Sequence, residues 1–317
     1  MVDSVSEHRA DDGYRHEAFL WQGDEQFLAR TVPFVSEGVA AGQPVMAAMV
    51  PSRIELLRSA LGDDASAVEF VDMTDLGANP ARIIPAWQAF IDEHAETGQP
   101  LRGIGEPVWA GRGAPELAEC QLHEALLNVA VDVDTPLWLL CAYDLGSLPG
   151  TVVDEALRSH PVVAEGPALR GSATYGGGPH VATMFGSDLP PAGPAAWRRV
   201  FGRDQLAEVR ADVRARAELA GLTPDRTDDL ALAVHEVATN SVEHGGGLGE
   251  LRLWDDERAL VCEVRDSGLI EDPMVGRRLP PWDGDSGRGL WLANQLCDLV
   301  QVRSGDAGTT VRIHTWR

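Results

Sequence analysis

From about residue 14 to 175 the apolar positions alternate between two periods. The run FLARTVPFVSEGVAAG (27–42) spaces its apolar residues along one helix face and stops at glycine, and PVMAAMV (44–50) is an unbroken apolar run of strand length. The alternation continues with a helix over SRIELLRSALG, a strand at AVEFVDM, a helix over PARIIPAWQAFIDEHAETG, a strand at LRGIGEPVW, a helix over PELAECQLHEALLNVAV and a strand at PLWLLCAYD. Short apolar strands separated by long helices predict a mainly parallel sheet with helices on its faces. GSATYGGGPH and SDLPPAGPAA, between roughly 171 and 195, are dense in Gly and Pro and read as a linker.

The second half has a different pattern. A long helix over 203–222 closes at Gly221, and TPDRTDD, with its Thr, Pro and Asp residues, starts another. Two strand-like runs follow, GELRLWDD and ALVCEVRDSG, then a Pro/Gly-rich loop, EDPMVGRRLPPWDGDSGRG, a helix LWLANQLCDLVQ and a last strand TTVRIHTW. That order predicts an α+β unit with helices on one face of a largely antiparallel sheet. The expected division is a tail over 1–13, a first domain over 14–175, a linker over 176–194 and a second domain over 195–317.

In AVHEVATNSVEHGGG (233–247), Glu236, Asn240 and His244 recur four apart and stack on one helix face. Leu230, Ala231, Val234, Val237, Ala238 and Val242 turn toward a core, so the polar trio borders buried surface. Three further pieces stand where elements end. Asp266 and Gly268 follow LVCEV; Gly287, Arg288 and Gly289 open LWLANQL; Gly308, Thr309 and Thr310 precede the last strand. A glycine-preceded helix start presents free N–H groups and the positive end of its dipole to phosphate. Asn240 can offer an oxygen to Mg²⁺, and Asp266 can accept from the exocyclic amine of a purine.

Composition narrows the chemistry. All 26 basic residues are arginine, which excludes a Walker A loop, the lysine of ordinary protein kinases and Schiff-base chemistry. The net charge of −23 argues against a nucleic-acid partner. Residues 1–180 carry 10 basic and 27 acidic groups, net −17, and the remainder carries 16 and 22, net −6. No run approaches a membrane span and the first thirty residues lack a signal-peptide core, so a cytoplasmic protein is expected. Cys120, Cys141, Cys262 and Cys297 form no CxxC pair and are expected as buried core thiols.

Taken in order, EVATN (236–240), DSG (266–268), GRGLWL (287–292) and GTTVRI (308–313) resemble the N box and three glycine boxes of the GHKL ATPases, within them the anti-sigma-factor serine kinases of the RsbW type. The resemblance covers about 195–317. It implies a Bergerat ATPase fold that binds ATP and Mg²⁺, with Glu236 as general base on a serine of an anti-anti-sigma (STAS) partner and Asn240 on the metal. Asp266, Gly268, Gly287, Arg288, Gly289 and Thr310 would hold the nucleotide, and Arg277 and Arg278 would sit on a lid. A sigma factor as second partner and a homodimer are implied as well. A phosphoacceptor histidine is not expected, since none occurs between His180 and His235. One departure stands out. Leu269 and Ile270 replace the end of the usual DxGxG box, so the second glycine is lost, and the alternative implied is a partner-binding scaffold with a degenerate nucleotide site.

HEAFLW (16–21), FVSEGVAAGQPVMAAM, GEPVWAGR (105–112), CAYDLGSLP (141–149) and HP (160–161) resemble the MEDS sensory domain, whose fold is similar to RecA/KaiC-like α/β domains. MEDS followed by a GHKL domain resembles the RsbA-family anti-sigma regulators, implying stress-response control of transcription. His16, Glu106, Trp109, Tyr143, Asp144 and His160, polar or aromatic residues at element ends, are the candidate sites for a small sensory ligand.

Overall fold

The computed structural model describes residues 13–166, 168–193, 196–280 and 288–317. The chain divides into two compact units, Met1–Val181 and Ala182–Arg317.

The first unit runs β1 (Arg15–Trp21), α1 (Gly23–Ala40), β2 (Val45–Met49), α2 (Pro51–Leu61), β3 (Val68–Asp72), α3 (Met73–Leu76), α4 (Ile83–His94), β4 (Leu101–Gly105), α5 (Ala114–Ala130), β5 (Leu137–Asp144), α6 (Gly150–Ser159), β6 (Val162–Glu165) and β7 (Ala168–Gly171), and α7 (Gly177–Gly186) spans the boundary at Val181. Its seven strands form one sheet in the order β3-β2-β4-β5-β1-β6-β7. Every pairing is parallel except β6 with β7. β2 and β4 are buried along their whole length, as parallel strands covered on both faces must be. Phe19, Trp21, Phe27, Phe34, Val35, Ala47, Ile104, Leu140 and Ala142 make the core that joins the sheet to α1 and α2.

The predicted parallel sheet is present, with more elements than the pattern announced. The β6–β7 hairpin and α6 had no separate expectation, and the Gly/Pro-rich segment read as linker folds part of itself into α7. Within that segment PHVATMF is apolar enough to bury Val181 and Phe185, and burial outweighs the intrinsic cost of the neighbouring glycines.

The second unit runs β8 (Trp197–Phe201), α8 (Leu206–Leu219), α9 (Pro224–His244), β9 (Gly249–Asp255), β10 (Ala259–Asp266), α10 (Arg288–Leu296), β11 (Leu299–Gly305) and β12 (Gly308–Trp316). All five strands pair antiparallel in the order β11-β12-β10-β9-β8. The helix expected over LWLANQLCDLVQ stops at Leu296, and Leu299–Gly305 becomes β11. The physical reason is pairing: Leu299 to Gly305 match β12 residue by residue from His314 to Gly308. Asp298 pins the turn before β11 by accepting from the Trp316 backbone N–H at 2.7 Å and pairing with Arg226. No helix among the described residues is long and apolar enough to cross a membrane.

Candidate functional site

In the second unit α9 is the organising element. Thr223 caps it by accepting from the Arg226 N–H, Pro224 occupies its first turn, and Leu230, Ala231, Val234, Val237 and Ala238 seat one face in the core. Glu236 and Asn240 emerge half-buried on the adjoining face, and His244 is exposed at the end of the helix. All three line a cavity of about 820 Å³, together with Asp266, Gly268, Ile270, Arg278, Arg288, Gly289 and Thr309. A volume in that range suits a nucleotide-sized ligand.

Two close approaches shape this cavity. A Cβ on Gly289 would stand 3.0 Å from Asn240 Nδ2 and 3.3 Å from Glu236 Oε2, so any side chain at the start of α10 would push the polar pair aside by a few tenths of an ångström. At the other end the Asp266 carboxylate lies against Gly245, where a Cβ would fall 2.4 Å from Asp266 Cγ. Asp266 is held there by Ser241 Oγ donating to Oδ2 at 2.6 Å and by the Gly268 N–H donating to Oδ1 at 2.8 Å. Each oxygen keeps a lone pair, so the carboxylate can still accept from a ligand amine.

Placement differs from expectation at several positions. Thr309 lines the cavity, its hydroxyl donating to the Gly268 carbonyl at 2.9 Å, whereas Thr310 does not; adjacent residues of a strand face opposite sides, so a one-residue slip in the third glycine box exchanges the hydroxyls. Arg277 is buried at 5% exposure rather than solvated, and Arg278 is the member of the pair that borders the cavity. Gly287 lies outside the described residues, as does the loop over 281–286. Ser241 and Gly245 carried a signal that went unused: a hydroxyl on the apolar side of α9, and a glycine directly after His244.

In the first unit the six candidate residues fall into two groups. Glu106, Trp109 and Asp144 line a cavity of about 350 Å³ with Val50, Ser52, Arg53 and Ser147, at the carboxyl ends of β2, β4 and β5, where parallel sheets bind their ligands. The Arg112 guanidinium stacks 3.6 Å from the Trp109 ring centre. Burial pushes the Glu106 carboxyl up to about 7, against the hydrogen bond from the Val50 N–H and the charge of Arg53.

The Glu106 shift has a stability consequence with a definite sign. The folded chain holds this proton more tightly than the unfolded one, so its contribution is complete below about 4.5 and is lost as pH rises through about 7. Thermal unfolding followed from pH 5 to pH 8 is expected to show that decline, and Glu106→Gln to remove it. An unchanged slope in the variant would assign the decline to other groups.

His16, Tyr143 and His160 lie elsewhere. His16 is the second residue of β1, and His160 caps the C-terminus of α6 two residues before β6, so both stand near the amino ends of parallel strands. Their rings sit 4.0 Å apart, with the Tyr143 ring edge-on to His160 at 5.6 Å. Glu124 of α5 and Cys141 of β5 complete the cluster, and neither stood among the candidates. All five residues are at most 2% exposed. Burial and the neighbouring His160 lower the His16 pKa to about 4.

Residues 15–161 match the MEDS family, the methanogen/methylotroph, DcmR sensory domain. Residues 202–315 match the histidine kinase-like ATPase domain. Serine-protein kinase RsbW of Halalkalibacterium halodurans is 33% identical over 117 residues, which are 32% of this chain and 70% of that relative. This chain belongs to the RsbW family. RsbW of Bacillus thuringiensis is 29% identical over 121 residues, covering 34% of this chain and 75% of its own length. A solved structure of the RsbU and RsbW domains of Rv1364c from Mycobacterium tuberculosis shares 19% identity over 38% of this chain and 32% of that one, with a TM-score of 0.27. The RsbW likeness lies in the ATPase unit, and the MEDS domain stands ahead of it.

Proposed function

We propose that the ATPase unit of this RsbW-family chain binds Mg·ATP and phosphorylates a serine on an anti-anti-sigma partner of the STAS type, thereby setting how much sigma factor is free. The MEDS unit, read as a RecA/KaiC-like sensory module on the strength of its mainly parallel sheet, governs that activity in response to a small ligand. The observation that carries the reading is the juxtaposition of Glu236, Asn240 and Gly289 in one cavity.

The residues present fit the group. Asn240 would offer its side-chain oxygen to Mg²⁺, Asp266 would accept from the exocyclic amine of the base, and Arg288 with the start of α10 would face the phosphates. Mg·ATP, when bound, supplies the transferable phosphoryl group and the metal charge that offsets negative charge on the phosphates. Glu236 would take the proton of the serine hydroxyl as its oxygen bonds to the terminal phosphorus; the bond from that phosphorus to the bridging oxygen breaks, and ADP leaves. Among the described residues no side-chain hydrogen bond engages Glu236 or Asn240, and both side chains line the cavity, available to a ligand.

A second reading, capture of a partner without phosphorylation, rests on Ile270. It lines the cavity where the family pattern has glycine, and its N–H is tied to Ser304 Oγ at 2.8 Å. Calorimetric titration with a non-hydrolysable ATP analogue, with and without Mg²⁺, separates the two. Magnesium-dependent binding is expected, and Asn240→Ala is expected to weaken it by roughly tenfold or more, as removal of a metal-positioning side chain does. A folded chain that binds no nucleotide would leave the scaffold reading in its place.

A further inference from the structure

The His16, Glu124, Cys141 and His160 cluster brings four metal-ligating side chains to one buried point and leaves two of their polar atoms without a hydrogen-bond partner. One ligand atom from each side chain lies within 4.8 Å of those of the other three. Glu124 Oε2 is 3.1 Å from Nε2 of His16 and 3.1 Å from Nε2 of His160, and Cys141 Sγ is 3.3 Å from His16 Nε2.

The surrounding hydrogen bonds decide which ring nitrogens carry protons. Asn128 Nδ2 donates to the carbonyl of Ser159 at 2.8 Å, and more weakly to those of Glu124 and Ala125, which orients the amide so that its oxygen faces His16. His16 Nδ1 therefore donates to Asn128 Oδ1 at 3.1 Å. His160 Nδ1 donates to the Ala156 carbonyl at 2.8 Å. In the neutral rings both Nε2 atoms are then left as lone pairs, converging on a carboxylate oxygen and a thiol. His160 Nε2, although 3.1 Å from Glu124 Oε2, makes no well-aligned hydrogen bond, and Glu124 Oε1 is buried without a hydrogen-bond partner, so two buried polar atoms are left poorly satisfied.

We propose that these four side chains bind one divalent transition-metal ion, zinc by the chemistry of the set, in the interior of the MEDS unit. Two imidazoles, a thiolate and a carboxylate are the donors that suit tetrahedral Zn²⁺. Zinc bond lengths place the ligand atoms of such a tetrahedron about 3.3–3.6 Å apart, and the cluster is already within a few tenths of an ångström of that along the three measured edges. Thiolate and carboxylate together carry two negative charges, so a dication leaves the buried site neutral. The Nδ1 bonds to Asn128 and to a main-chain carbonyl are the outer contacts that metal-bound histidines make. Four protein ligands close the site, so the ion ties β1, α5, β5 and the end of α6 together instead of binding substrate. The small-ligand cavity beside Glu106 lies at the opposite ends of the strands and is a separate feature.

Metal analysis of the tag-free full chain, expressed with added zinc and containing no nucleotide, is expected to find one ion per chain. Exchange of that ion for Co²⁺ is expected to give the intense visible bands of a tetrahedral cobalt site with a thiolate-to-cobalt charge-transfer band. Cys141→Ser should abolish the charge-transfer band, His160→Gln should lower metal content, and Asn128→Ala should weaken affinity roughly 10- to 100-fold. Cys120→Ser, at a buried thiol outside the cluster, should change neither content nor spectrum. A wild-type chain that takes up neither zinc nor cobalt in stoichiometric amount overturns the proposal, as does a cobalt spectrum without the thiolate band. The wild-type cobalt spectrum decides the matter even where a ligand variant fails to fold.

Discussion

Glu236→Gln is expected to lower phosphotransfer to a STAS-type partner by about 10²- to 10⁴-fold, the range that a positioned general base contributes, while nucleotide affinity stays as in the wild type. Glutamine keeps the size and planarity of the side chain and cannot take a proton, so the variant isolates base chemistry from packing. The contrast with Asn240→Ala is the sharper test. One turn further along α9, that substitution is expected to act on magnesium-dependent binding first. Single-turnover transfer with saturating nucleotide separates the two effects, since it reports the chemical step alone. Transfer at the wild-type rate in Glu236→Gln would remove the base assignment whatever the binding data show. Gly289 links the two residues: a side chain there would crowd both, so Gly289→Ala should impair binding and transfer together.

The two units were legible in the sequence to different depths. The RsbW-like site was readable because its parts are local: i, i+4 spacing along α9 puts Glu236 beside Asn240 whatever the rest of the chain does. Thr310 shows where local reading stops, because the face that a strand residue presents depends on a register set by β10 and β11, not by the GTT string. β11 shows the same limit, since its apolar run continues a helical pattern and only its partner strand makes it extended.

In the MEDS unit the sequence places Glu106 and Asp144 after apolar strands, at the ends where parallel sheets bind ligands. Strand order is a property of the assembled sheet, so only the placing of β1, β4 and β5 separates them from the pair His16 and His160. Glu124 and Cys141 each looked ordinary in isolation: a carboxylate within the apolar stretch LHEALL, and a small thiol inside a buried strand. The parallel β1–β5 pairing and the packing of α5 bring them to one point. A glutamate inside an apolar helix face is costly to bury alone, and that was the signal in the sequence pointing to a partner not yet identified.

Removal of the Glu263 carboxylate is expected to destabilise the ATPase unit by about 3–5 kcal/mol, the usual consequence of stranding buried charges. Glu263 is fully buried on β10, directly opposite Arg252 of β9 and Arg312 of β12. Its Oε2 accepts from Arg312 Nε at 2.8 Å and Nη2 at 2.5 Å, and its Oε1 accepts from Arg265 Nε at 2.6 Å with Arg252 Nη1 at 3.6 Å. Three guanidinium groups thus share one carboxylate, and Arg312 is itself only 5% exposed. In Glu263→Ala the arginines remain with their charges and lose the acceptor, so the loss exceeds what a surface pair would show. Denaturant unfolding of the full chain, read at the transition of the ATPase unit, measures this. Pairing Glu263→Leu with Arg312→Leu should recover part of the stability, because the most buried of the three guanidinium groups leaves together with its partner. Since Glu263 does not line the nucleotide cavity, the folded fraction of Glu263→Ala should bind the ATP analogue as the wild type does. Weakened binding there would mean that the row of charges across the sheet also positions Asp266, which ends the same strand.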